Sequence, residues 1–156
     1  MINPRPTAAE QRTTVPATGR VGSLRTPVAW GIVWGCLQAA SPLAFFWLDD
    51  ATVYAVGLTL IAAIYIGFAV ADGRPRIVAV ETGVAAAFVV VATAAVTGSA
   101  WLLVAGLAGH GLKDLWQHRT GFVASTRWWP PFCATVDFVA ATIIAIEIVA
   151  GFHFSW

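Results

Sequence analysis

The sequence contains few charged residues. Nine Lys or Arg and eight Asp or Glu among 156 residues make 11% charged, whereas a typical soluble domain is about 25% charged. Because 58% of the residues are apolar, the chain is too hydrophobic for a disordered protein. A net charge of +1 and the lack of a Lys/Arg cluster in any apolar segment exclude a basic nucleic-acid binder. Having only Cys36 and Cys133 excludes a disulfide scaffold. The class that remains is an integral membrane protein.

Residues 1–27 differ from the rest of the chain. They combine prolines and threonines with four arginines and contain no long apolar run. This composition predicts a disordered, basic, cytoplasmic tail. It does not resemble a cleavable signal, because the first apolar run begins only near Val28 and is long enough to span a bilayer.

From Val28 onward the chain consists of apolar blocks of roughly 20 residues, the length that a helix needs to cross about 30 Å of hydrocarbon. Membrane-spanning strands would be shorter and alternating, so the pattern predicts an all-α polytopic bundle. The helical domain covers residues 28–156, and its five predicted spans are 28–48, 52–71, 77–97, 100–118 and 132–152.

The basic residues predict the orientation of the bundle. Four arginines lie in the tail, two in the turn at 72–76, and the remaining three basic residues lie between 113 and 127. The turns at 49–50 and 98–99 and the C-terminal end contain no Lys or Arg. The positive-inside rule then predicts a cytoplasmic N-terminus and an outside C-terminus for this multi-pass bundle.

Small residues predict close helix packing. Gly31 and Gly35 have the small-xxx-small spacing that lets two helices approach in a membrane. Two interpretations follow: packing within the chain, or homodimerisation through this glycine stripe. Pro42 is expected to kink the first span in its outer half.

Ionisable residues inside predicted spans are costly, by roughly 2.5–3.5 kcal/mol at the bilayer centre, and therefore indicate candidate sites. The spacing of i, i+4, i+8 places His110, Asp114 and His118 on one face of the fourth span. Cys133 and Asp137 share a face of the fifth span in the same way. A rise of about 1.5 Å per residue places Asp137 near the level of Asp114 and His110. The candidate metal ligands are His110, Asp114, His118, Cys133, Asp137 and Glu81.

Three uses of this polar set stay open. Imidazole and carboxylate groups from facing helices suit a divalent metal such as zinc or iron. Alternatively, His110, Asp114 and Asp137 form an acid–base or proton relay, and these three are the candidate catalytic residues. In the third interpretation the same residues only hydrogen-bond one another to lock the bundle. We expect Glu81 to pair with Arg74 or Arg76 across the neighbouring turn.

The segment from Gly109 to Asp137 carries two motifs. The first is His110-x3-Asp114-x3-His118, and the second is Phe132-Cys133-x3-Asp137 after a Trp-Trp-Pro-Pro run. In these motifs the C-terminal third resembles a group of small, uncharacterised multipass membrane proteins of actinobacteria. The resemblance implies a plasma-membrane protein and no particular activity.

The sequence therefore allows three functions. The first is an enzyme with a cytoplasm-facing pocket that acts on a lipid or another amphipathic molecule by hydrolytic or redox chemistry. The second is an accessory or assembly subunit of a membrane complex, in which the polar cluster is structural. The third is a small transporter or proton carrier, which would have to be a homo-oligomer because five helices leave little room for a pathway.

Overall fold

A computed structural model describes residues 24–124 and 127–151. All regular secondary structure in those residues is helical, which confirms the predicted all-α class. Residues 1–23 of the predicted tail lie outside the described residues, and its last residues belong to the first helical turn instead. The helices are α1 (Arg25–Ala39), α2 (Ser41–Ala44), α3 (Asp50–Asp72), α4 (Pro75–Thr97), α5 (Trp101–Thr120) and α6 (Trp129–Val149).

Local sequence signals explain where the helices begin and end. The Asp49 side chain caps α3 by accepting a hydrogen bond of 2.7 Å from the Thr52 N–H. Gly73 and Gly121, which follow α3 and α5, have φ of 78° and 60°. A residue without Cβ adopts this left-handed conformation without steric cost, so both glycines end their helices. Prolines in the first turns of α4 and α6 lack only N–H groups that have no helical partner there.

The first predicted span is interrupted before its end. α1 stops at Ala39, after 15 residues or about 22 Å, and the predicted limit was residue 48. Pro42 cannot donate to the Gln38 carbonyl and its ring clashes with that group. The Ser41 hydroxyl donates to this carbonyl at 2.6 Å instead. The predicted kink is therefore a helix end followed by the four-residue α2.

α6 lies between α1 and α5, and α3 and α4 form an adjoining hairpin. Gly31 of α1 faces Thr135 of α6, and Gly35 faces Val139 one turn further along both helices. The two helices therefore run parallel, with their backbones close together. The glycine stripe packs within the chain, as the first of the two interpretations predicted.

The two ends of the bundle differ in charge. The α3–α4 turn and the α5–α6 loop lie together, because Asp72 accepts from the Ala124 N–H at 2.8 Å and Arg74 donates to the Phe122 carbonyl at 2.9 Å. We call this end, with Arg74, Arg76, Arg119 and Arg127, the basic end.

At the opposite end, the Tyr54 hydroxyl donates to the Ala39 carbonyl at 2.7 Å and lies 3.4 Å from Glu147.

Much of the outer surface is apolar. Leu43 and Phe46 are each 82% exposed, and Trp30, Trp34 and Leu60 are more than half exposed. A soluble monomer rarely exposes apolar patches of this extent, so this surface is consistent with contact to lipid. In the described residues three helices are long and apolar enough to cross a membrane: Asp50–Asp72, Pro75–Thr97 and Trp129–Val149. α5 coincides with the predicted fourth span, but polar residues lower its hydropathy.

Candidate functional site

Three ionisable side chains meet in the interior between α5 and α6. The Nδ1 atom of His110 lies 2.8 Å from an Asp137 carboxylate oxygen and 3.7 Å from an Asp114 oxygen. All three side chains are fully buried. Ligand atoms of the three residues all lie within 4.8 Å of one another. We call this group, His110, Asp114 and Asp137, the buried triad.

Helix geometry explains why the triad forms. His110 and Asp114 are four residues apart, so they project from the same face of α5. Gly111 lies on the surface facing α6, where an added Cβ would stand 3.3 Å from the Cβ of Asp137. Since glycine has no Cβ, α6 approaches closely enough for Asp137 to contact His110. The predicted common level of these residues is therefore observed.

Two aromatic rings enclose the imidazole of His110. The rings of Tyr65 from α3 and Phe88 from α4 lie edge-on to it, with centroid separations of 5.8 and 5.1 Å. Sequence reasoning did not select either residue. A tyrosine hydroxyl in the middle of an apolar span could have identified Tyr65, whereas nothing distinguishes Phe88 from other apolar residues of α4.

A second polar group lies on the neighbouring face of α5. The ammonium of Lys113 is 2.8 Å from a Glu81 carboxylate oxygen, and the Gln117 amide donates to the other oxygen at 2.6 Å. Glu81 is 1% exposed and Gln117 is 3% exposed. Lys113 also lies 3.7 Å from the centre of the Tyr65 ring, a cation–π contact. Tyr65 therefore contacts both the triad and the Glu81–Lys113 pair.

The structure separates the six predicted ligands. It brings together His110, Asp114 and Asp137, whereas Glu81 pairs with Lys113 rather than with Arg74 or Arg76. Cys133 is buried one turn before Asp137 but does not belong to the group of ligand atoms, and His118 lies partly exposed at the basic end.

The buried polar cluster carries more negative than positive groups. Three carboxylates, from Glu81, Asp114 and Asp137, share the interior with one ammonium group from Lys113 and one imidazole. Since Lys113 pairs with Glu81, the two triad carboxylates have only His110 to balance them. Among the described residues, the His110 Nε2, both oxygens of Asp114 and one oxygen of Asp137 have no hydrogen-bond partner. The arrangement is thus suited to a cation, either a metal ion or protons.

No protein-family model, curated protein or solved structure matches the chain.

Proposed function

We propose that the chain is an integral membrane protein that binds a divalent transition-metal ion at the buried triad. The observation that carries the proposal is the convergence of one imidazole and two carboxylates within 4.8 Å, at full burial, from two helices. Metal centres of membrane and soluble helix bundles are built from inward-facing side chains of this kind. Mixed nitrogen and oxygen ligands favour ions such as zinc or iron over calcium and magnesium.

The distances support this proposal. Tetrahedral coordination with bonds of about 2.0–2.1 Å separates neighbouring ligand atoms by roughly 3.3 Å. The two measured separations from the Nδ1 of His110, 2.8 and 3.7 Å, lie on either side of that value. The ligand atoms of the two carboxylates also lie within 4.8 Å of each other, so all three pairs are close to coordination distance.

The charge balance of the buried cluster supports metal binding independently of the distances. Metal binding requires a neutral imidazole and ionised carboxylates, and in that state the three buried carboxylates and one ammonium would leave two negative charges uncompensated. Unpaired charges in a low-dielectric interior are strongly unfavourable. One divalent cation neutralises the cluster. Three protein ligands would also leave a fourth position for water or a substrate, the arrangement of catalytic zinc sites.

The test is metal analysis of the full chain purified in detergent and dialysed against metal-free buffer. We expect about one divalent ion per chain, and we expect Asp137→Asn to lose most of it. Glu147→Gln is the matched control, because it also removes a carboxylate from α6 but lies at the opposite end of the bundle. A wild-type protein without metal, or Asp137→Asn protein with full occupancy, contradicts the proposal.

A second candidate function is a proton-accepting relay. One nitrogen of His110 faces both triad carboxylates, so protons could neutralise the cluster instead of a metal. This candidate predicts pH-driven proton flux in proteoliposomes and its loss in Asp137→Asn. Finding bound metal in the protein and no proton flux in proteoliposomes would exclude the proton relay.

We further propose five crossings of a bacterial plasma membrane, with the basic end in the cytoplasm. The positive-inside rule supports this orientation, and so does the shared location of the α3–α4 turn and the α5–α6 loop. The C-terminus would then lie outside. The proposal also includes membership of the actinobacterial group of membrane proteins that the C-terminal third resembles. A C-terminal alkaline phosphatase fusion should be active and a C-terminal fluorescent-protein fusion dark. An inactive phosphatase fusion together with a fluorescent fusion would show that the C-terminus lies in the cytoplasm, which contradicts the proposed orientation.

A further inference from the structure

The basic end of the bundle contains a cavity of about 280 Å³, located where α5 ends and α6 begins. This volume lies near the lower limit for small-molecule sites, roughly 300–1,000 Å³, and suits a headgroup-sized ligand. Its lining residues include Arg119 and Arg127 together with His118. We call it the arginine cavity.

The cations of the arginine cavity have no anionic partner in the part of the chain that the structure describes. None of the ion pairs found there includes His118, Arg119 or Arg127. The Asp72 carboxylate in the neighbouring turn is already bonded to Arg74 and to the Ala124 N–H. Guanidinium groups present planar, forked donors that match the oxygens of a phosphate. The lining is therefore suited to an anion such as a phosphate.

Gln117 adds a second requirement on the ligand. Gln117 is one of the residues that line the cavity, and only 3% of it is exposed. Its amide nitrogen donates to Glu81, but its amide oxygen has no hydrogen-bond partner among the described residues. Most buried acceptors in proteins have a donor partner. A hydroxyl group close to the phosphate would supply that donor.

We propose that the arginine cavity binds the phosphate of an anionic glycerol phosphate ester. The phosphate would contact Arg119 and Arg127, and a glycerol hydroxyl would donate to the Gln117 amide oxygen. Two sources share this chemistry: the headgroup of a phosphatidylglycerol lipid and free glycerol phosphate. The cavity has no residue in common with the buried triad, so the proposal stands or falls separately from metal binding.

The test uses the full chain in a neutral detergent, with thermal unfolding followed during three titrations. The ligands are short-chain phosphatidylglycerol, phosphatidylcholine with the same acyl chains, and glycerol 3-phosphate. We expect phosphatidylglycerol, glycerol 3-phosphate or both to stabilise the protein, and the pattern identifies the source. No stabilisation by either, or equal stabilisation by phosphatidylcholine, overturns the proposal.

Matched variants separate a bound phosphate from general attraction to a positive surface. Arg119→Gln and Arg127→Gln should each weaken apparent affinity by at least about ten-fold, the effect of losing a charged hydrogen bond. Arg76→Gln removes one charge from the same end but does not line the cavity, and should cost no more than about five-fold. Equal losses in all three variants would show a surface effect and overturn the proposal.

Discussion

Replacing Gly31 with alanine tests the contact between α1 and α6. The added Cβ would lie 2.5 Å from the Cβ of Thr135 and 2.8 Å from the Phe132 carbonyl oxygen. Ordinary van der Waals contacts of a Cβ begin at 3.4 Å, so the helices would have to separate by about 0.9 Å. Both opposing atoms belong to the backbone or are attached directly to it, so a rotamer change cannot relieve the clash. Overpacking of this kind costs about 1–3 kcal/mol.

The helix propensity of alanine offsets part of this loss, because alanine is favoured over glycine by up to about 1 kcal/mol in a helix. Gly109→Ala is the matched control, since its added Cβ meets no atom within 4 Å. The difference between the two variants isolates the clash, and we expect Gly31→Ala to be less stable by about 1–3 kcal/mol.

The assay is unfolding of both variants in mixed micelles, followed by circular dichroism as the denaturing detergent is increased. If Gly31→Ala is as stable as Gly109→Ala, α1 does not pack on α6 through this glycine. If Gly31→Ala instead abolishes a dimer seen by cross-linking and leaves stability unchanged, the glycine stripe acts between chains. Either result would contradict the packing of α1 on α6 through Gly31 within one chain.

Two further predictions concern buried charge and helix capping. Lys113→Met leaves Glu81 buried without its cation and should lower the free energy of unfolding by about 3–5 kcal/mol. Adding Glu81→Met should restore most of the stability. A double variant that is no more stable than Lys113→Met contradicts this prediction. Asp49→Ala should cost about 1 kcal/mol by removing the cap of α3, and Asp49→Asn should be tolerated. Hydrogen bonds from the Thr52 side chain and N–H lower the pKa of Asp49 below 3.8. The charge-dependent part of this cap is therefore present above that value and is lost as the pH falls through the lowered pKa. A stability difference between wild type and Asp49→Ala that does not shrink on acidification would contradict it.

The site shows how far sequence reasoning extends. Spacing within α5 placed His110 and Asp114 on one face, and depth along the helices placed Asp137 near their level. Both are local properties of helices with a known rise, so they could be calculated in advance. The pairing of Glu81 with Lys113 could not, because it depends on which face of α4 turns toward α5. Tyr65 and Phe88 were missed for the same reason.

Local signals in the sequence account for the helical class, the apolar segments and most of the helix limits, because hydrophobic length, prolines, capping residues and glycines act locally. The composition also limits the interior to few ionisable groups. Which of these groups meet depends on the tertiary structure, because rotations about the helix axes and close approaches at Gly31 and Gly111 depend on all helices together. The approach at Gly111 joins His110 to Asp137, while Cys133 stays outside the group of ligand atoms. The face that α4 turns toward α5 directs Glu81 to Lys113 rather than to the arginines of the turn.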